Sequence, residues 1–230
     1  MANITFYSAD EDVAEWTIKP VPSSKSIPSW YKIIDNNNSY SESTIKRCMA
    51  VFDSMTAGYT IYFPCDIYID ATKENLEASV PYLTEQKNLN VIGMHSSSQY
   101  SNYPIGNQYH KDILRVDPLW YVMTEPGYSS FFINPVHGDG TPFETMSGVI
   151  DTDAYISKGS LSIFIKKGFK GVIKQGTPLV QVIPFKREEF SMSIGTQEDY
   201  RKRLSNQIKF FIPKFYGAYK SSLRSIKKYV

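Results

Sequence analysis

Cysteine is scarce in this chain: Cys48 and Cys65 are the only two among 230 residues. Two cysteines make neither a disulfide framework nor a zinc-ligand set, which points to a reducing, cytosolic setting. Long apolar runs are also missing. No stretch approaches the roughly 20 residues that span a bilayer, and the N-terminus carries no basic flank followed by an apolar segment. A membrane span and a signal peptide are therefore not expected. Charge of one sign is lacking too: the formal net charge is +2, too small for a global field that would attract nucleic acid. Histidine occurs three times, at His95, His110 and His137. With Asp139, Asp151 and Asp153 these match no metal-ligand spacing, so no metal site is expected.

Aromatic residues are abundant, with 17 Tyr and 13 Phe. They bury large areas each, and with Ile, Val and Thr they favour strands over helices. Period-two alternation appears at Tyr59, Ile61 and Phe63, at Ile67 and Ile69, and at Leu161, Ile163 and Ile165 with Ser162, Phe164 and Lys166 facing outward. Further strands are read at 2–7, 113–116, 119–123 and 179–185, and turns lead into the apolar segments 130–133 and 171–173. Short strands separated by Gly and Pro turns predict a mainly β sandwich or barrel.

Pro20, Pro22 and Pro28 break regular structure in 17–34, so Ile27 to Tyr31 reads as an extended arm with an aromatic anchor. Ile45, Met49 and Phe52 share one face of a short helix. Leu76 to Asn90 reads as irregular. At the other end, Thr196 and Asp199 approximate a capping box, and Leu204, Ile208 and Phe211 follow on one face until Pro213. Tyr219, Leu223 and Ile226 repeat that spacing in a second short helix. Nine Lys or Arg lie from Arg201 to Lys228 with no acidic residue among them. Such a segment is either a solvated helical face packed on the β core or a surface for an acidic partner. Three regions result: an N-terminal strand and Pro-rich arm (1–45), a β domain (46–190) and a basic helical tail (191–230).

The most informative stretch is Ser147-Gly148-Val149-Ile150-Asp151-Thr152-Asp153-Ala154-Tyr155. Apolar strand residues lead into a turn bearing two carboxylates and a ring. Asp151 and Asp153, two apart, would share one face of an extended segment. The stretch resembles the central motif of the dUTPase and dCTP deaminase superfamily. Three other pieces resemble its motifs in the same order: Thr56-Ala57-Gly58-Tyr59-Thr60-Ile61, then Pro126-Gly127-Tyr128, then Gly176-Thr177-Pro178-Leu179-Val180-Gln181-Val182-Ile183. The resemblance spans roughly residues 50–190. The whole chain is also similar to an uncharacterised family found in tailed-phage genomes.

The resemblance implies a dUTPase-like β-clip fold with C-terminal helices and a nucleotide ligand. It also implies a homo-oligomer, since that family builds its sites between three subunits. Asp151 matches the water-activating aspartate of the catalytic motif. Gly148, Asp153, Tyr155 and Gln181 fall at substrate-binding positions, with Tyr155 offset by Ala154 onto the opposite face of an extended strand. The departures are large. Thr60 stands where the first motif carries an aspartate. Asn134-Pro135-Val136-His137-Gly138 replaces the arginine-bearing second motif, and the glycine-rich closing tail is absent. For a deaminase base, Glu144 is only a loose match. The expected function is a diverged, phage-encoded binding or structural protein without catalysis, in the host cytoplasm or the virion. The alternative is a deoxynucleoside triphosphate pyrophosphohydrolase with a rebuilt phosphate site, which alone would need Mg²⁺.

Overall fold

The computed structural model describes residues 2–80, 90–156, 160–211 and 219–230. The chain divides into two units: residues 1–187 with Tyr229 and Val230, and residues 188–228. The N-terminal residues belong to the larger unit and form no separate one.

The first unit is mainly β. In chain order it holds β1 (Ile4–Ser8), α1 (Glu11–Trp16), β2 (Val21–Pro22), α2 (Ser29–Ile33), α3 (Met49–Thr56), β3 (Tyr59–Tyr62), β4 (Ile67–Asp70) and β5 (Glu77–Ser79). There follow β6 (Ile92–Met94), β7 (Tyr109–Val116), β8 (Trp120–Thr124), β9 (Tyr128–Ile133), β10 (Phe143–Thr145), β11 (Gly148–Ile150), β12 (Leu161–Lys166), β13 (Lys170–Ile173) and β14 (Pro178–Lys186). All pairings are antiparallel. A five-stranded sheet runs β11-β9-β14-β3-β2, a four-stranded sheet β10-β12-β7-β6 and a three-stranded one β13-β4-β5, with β1 and β8 as a pair.

The alternation read from the sequence is what closes the core. Ile61, Phe63, Ile67, Ile69, Ile163, Ile165 and Val182 are fully buried in one cluster. Phe63 meets Phe143 edge-on at 5.0 Å, which ties the five-stranded sheet to the four-stranded one. Phe164, expected on an outward face, and Thr60, which alternates with Tyr59 and Ile61, are both buried. Phe164 lies under the rings of Tyr103 and Tyr109, at 5.5 and 5.8 Å. Thr60 is buried because Ser23 of the N-terminal segment bonds its hydroxyl at 3.0 Å.

Pattern reading missed two helices. α1 starts at Asp10, whose carboxylate accepts the Asp12 N–H and caps a turn too short for periodicity to reveal. α2 begins directly after Pro28, so the extended arm ends there and Ser29–Ile33 is helical. Proline fixes φ at a value a helix start accepts, and here it initiates rather than breaks. Of the Leu76–Asn90 stretch, β5 is a described strand, and 81–89 lie outside the described residues.

In the second unit α4 (Gln197–Phe211) starts as expected. Thr196 and Asp199 bond each other reciprocally, the Thr196 hydroxyl donating to the carboxylate at 2.7 Å and accepting the Asp199 N–H at 3.2 Å. Leu204 and Ile208 of its apolar stripe stay exposed, at 37% and 44%. The second tail helix is a single turn, Tyr219–Leu223, and Ile226 lies beyond it. Pro213 lies outside the described residues. Among the described residues no helix is long and apolar enough to cross a membrane.

Candidate functional site

A cleft of about 460 Å³ opens on the larger unit. Its wall collects three stretches that are remote in sequence. Thr60 comes from β3, Asn134 to Val136 with Gly138 and Asp139 from the loop after β9, and Thr177, Pro178 and Gln181 from β14 and its lead-in. Lys25 and Lys32 of the N-terminal segment border it as well.

The register puts Gln181 directly opposite Thr60 and Ile133. Gln181 is buried and its carboxamide is committed to the protein. Nε2 donates to Ser54 O at 2.9 Å and Ala57 O at 2.6 Å, while Oε1 accepts the Val136 N–H at 3.2 Å. This one side chain joins the turn before β3 to the loop after β9, and so shapes two walls of the cleft. Gly58 makes the approach feasible: its φ is +66°, and a Cβ there would sit 2.0 Å from Val182 O.

The remaining wall is held by Asp139. Its carboxylate accepts the Ser29 N–H at 3.0 Å and the Ser29 hydroxyl at 2.9 Å, at the start of α2. Burial works against its ionisation, but the Ser29 and Trp30 hydrogen bonds prevail and hold its carboxyl below the usual range. Trp30 Nε1 donates to His137 O at 2.7 Å, and His137 has a φ of +56°. The N-terminal segment is thereby tied to the loop after β9.

The central stretch lies elsewhere on the same sheet. Ile150 pairs with Ser130, and Ser130 with Pro184, three residues along β14 from Gln181. β11 also lies two strands across from β14, so at about 3.3 Å per residue along and about 4.8 Å per strand across the two places are separated by roughly 14 Å. Asp151, Asp153, Gly148 and Tyr155 do not line the cleft. Residues 152–154 form a turn, closed by the Tyr155 N–H on Asp151 O at 2.9 Å, so strand alternation does not govern Tyr155. Tyr155 is 64% exposed.

Both carboxylates of that turn are clasped. Asp151 Oδ1 accepts the Ser129 hydroxyl at 2.6 Å and Arg187 Nη1 at 3.3 Å. Asp153 accepts the Gly127 N–H at 2.8 Å and Arg187 Nη1 at 2.9 Å, and it bonds Arg187 Nη2 as well. Thr152 between them is buried on Thr124 and Ser130. The Arg187 bonds, then the Gly127 N–H, hold Asp153 at about 2. Asp70 is also held at about 2, by Thr72 and then Lys170.

Both groups are depressed below the unfolded carboxylate value, near ~3.9. Their contribution to stability is present above that value and is lost as pH falls through about 2. The midpoint of urea unfolding should therefore fall steeply between pH ~4 and ~2, and Asp153→Asn should flatten that fall.

His95, His110 and His137 do not converge, and no cluster of three His, Cys, Asp or Glu among the described residues can hold a metal ion. Cys48 and Cys65 are free thiols, and burial, then the Asp66 charge, pushes Cys65 up to about 12. Sequence reasoning missed Lys25, Lys32 and Arg187, and weighed Asp139 only as a metal ligand. Asp139 and Arg187 bond to segments far from them in the chain, and Lys25 and Lys32 reach the cleft from an arm remote in sequence from its other walls, so no local spacing announces them. Compared with known proteins, the chain matches no protein-family model and no curated protein.

Proposed function

We propose that the chain is a diverged dUTPase-like β-clip protein, phage-encoded, that binds a nucleotide-type ligand at its cleft without hydrolysing it. The observation that carries this reading is the cleft itself. It gathers Thr60, the Asn134–Gly138 loop and Gln181, the three places where the resemblance puts the first, second and fourth motifs. Against catalysis, Asp151 is engaged by Ser129 and Arg187, Gln181 by Ser54, Ala57 and Val136, and Thr60 offers no carboxylate.

The separate position of the 148–155 stretch fits an assembly of several copies. β11 is an edge strand, and Val149 and its cross-strand neighbour Phe131 are exposed at 59% and 39%. Exposed apolar groups beside an unguarded edge favour burial against another chain. In a homotrimer, the 148–155 stretch of one copy enters the cleft of the next and completes it. The same packing suits a structural, virion-associated role. The basic tail, with its exposed apolar stripe, then serves an acidic partner.

The hydrolase alternative draws on one observation: Lys25 and Lys32 supply cations where the second-motif arginine is lacking. One experiment separates the readings. The purified protein is incubated with each deoxynucleoside triphosphate and Mg²⁺, and pyrophosphate, ammonia, thermal midpoint and native mass are followed. We expect a trimer, no pyrophosphate or ammonia, and stabilisation by at least one nucleotide. At a hundredfold excess over Kd the gain is about 2.7 kcal/mol.

A further inference from the structure

A second cluster lies on the four-stranded sheet, away from the cleft. His95 follows β6, and its Nε2 is 3.1 Å from the Ser162 hydroxyl on β12. Its Nδ1 is 3.2 Å from Gln99 Oε1. The Tyr100 hydroxyl is 2.7 Å from Ser162 Oγ.

The proton positions follow from one backbone group. Gln99 Oε1 also accepts the Ser96 N–H at 3.1 Å. A backbone N–H only donates, so the Gln99 atom facing it is the oxygen, and an oxygen accepts. His95 Nδ1 must therefore carry a proton. In the neutral ring Nε2 is then a lone pair, and the Ser162 hydroxyl donates to it. With its own proton directed at His95, Ser162 Oγ is left as the acceptor for Tyr100. The result is a directed chain from Tyr100 through Ser162 and His95 to Gln99.

We propose that Ser162 is an activated nucleophile with His95 as its general base, and that it reacts with carboxylic esters. A nucleophile, a base within hydrogen-bond reach and a third group fixing the base's tautomer are what such chemistry requires. Ser162 Oγ attacks the carbonyl carbon while its proton passes to His95 Nε2. The ester C–O bond breaks, and the leaving alkoxide takes that proton. Water then attacks the acyl-serine, gives a proton to Nε2, and the carboxylic acid departs as the proton returns to Oγ. The Tyr100 hydroxyl turns from Oγ to the oxyanion, a neighbouring donor with no long path to travel. Arg115 pairs with Ser162 in register and shares its face, and its guanidinium lies over Gly93, where a Cβ would meet Nη2 at 2.8 Å. That cation favours acyl groups bearing negative charge. Gln99 is a positioning residue.

The test is a fluorophosphonate probe on the full chain, with adducts mapped by peptide mass, alongside p-nitrophenyl acetate turnover. A single adduct on Ser162 is expected, lost in Ser162→Ala. Labelling should fall about 100-fold or more in His95→Ala, the usual contribution of a general base. Gln99→Ala should slow labelling, and Gln99→Glu, which still accepts from Nδ1, should restore it. Thermal midpoints identify any variant that fails to fold, and Ser162→Ala is conservative enough to decide the matter alone. No adduct on Ser162 in the wild type, or equal labelling without His95 in a folded variant, overturns the proposal. Neither outcome bears on the cleft.

Discussion

Gly58→Ala should destabilise the protein by more than about 3 kcal/mol, and in the strict case should prevent folding. Two separate causes act at this position. Its φ of +66° lies in the left-handed region, which L side chains adopt at a cost. The added Cβ would also stand 2.0 Å from Val182 O, a main-chain atom held in the middle of β14. A flexible side chain would yield to such an intrusion, whereas a paired strand cannot move without loosening β3, β14 and β9 together. The effect extends beyond stability. Gly58 is flanked by Ala57, whose carbonyl anchors Gln181, and precedes Thr60, which lines the cleft. A partly folded Gly58→Ala protein should have lost the cleft while keeping the β12–β7 pairing. Chemical denaturation reads the first effect, and amide exchange of β3 against β12 reads the second.

Gln181→Leu should have the next largest effect. Leucine is close in volume, so little cavity forms, and the loss is polar. Two carbonyls, Ser54 O and Ala57 O, and one N–H, that of Val136, lose their partner together. A buried group left without its hydrogen bond costs about 1–3 kcal/mol. Partial access to cleft water limits the sum, and we expect about 3 kcal/mol, or a midpoint lower by roughly 6–12 °C for a chain of this size. Gln181→Glu should be no milder, because a carboxylate cannot donate to the two carbonyls and faces them with negative charge. Both variants should bind nucleotide weakly at best, since the turn before β3 and the loop after β9 are no longer joined. Calorimetry on the three proteins checks the order.

Much of the scaffold was legible because strand alternation is a local signal. Ile61 and Phe63, Ile67 and Ile69, and Ile163 and Ile165 could be assigned inward from spacing alone, and all are fully buried. The Thr196 and Asp199 start of α4 was legible for the same reason, since a capping box is written within one turn. What escaped depends on contacts between distant segments. Phe164 is buried only because Tyr103 and Tyr109 fold over it. The helix after Pro28 is fixed by Asp139, which takes its first N–H from across the cleft.

The site divides along the same line. The motif stretches led to Thr60 and Gln181, which the register places face to face. They also singled out Asp151 and Asp153 as chemistry-bearing residues. Arg187 follows the last strand and reads as a surface charge, yet it clasps both carboxylates. Lys25 and Lys32 sit in an arm whose prolines suggested mere irregularity, and they border the cleft.

The central claim is that this cleft binds a nucleotide-type ligand and does not cleave it. The most direct measurement is pyrophosphate release from deoxynucleoside triphosphates with Mg²⁺, read beside the thermal midpoint in the same sample. The account predicts a raised midpoint and no release; release that Asp151→Asn abolishes would contradict it.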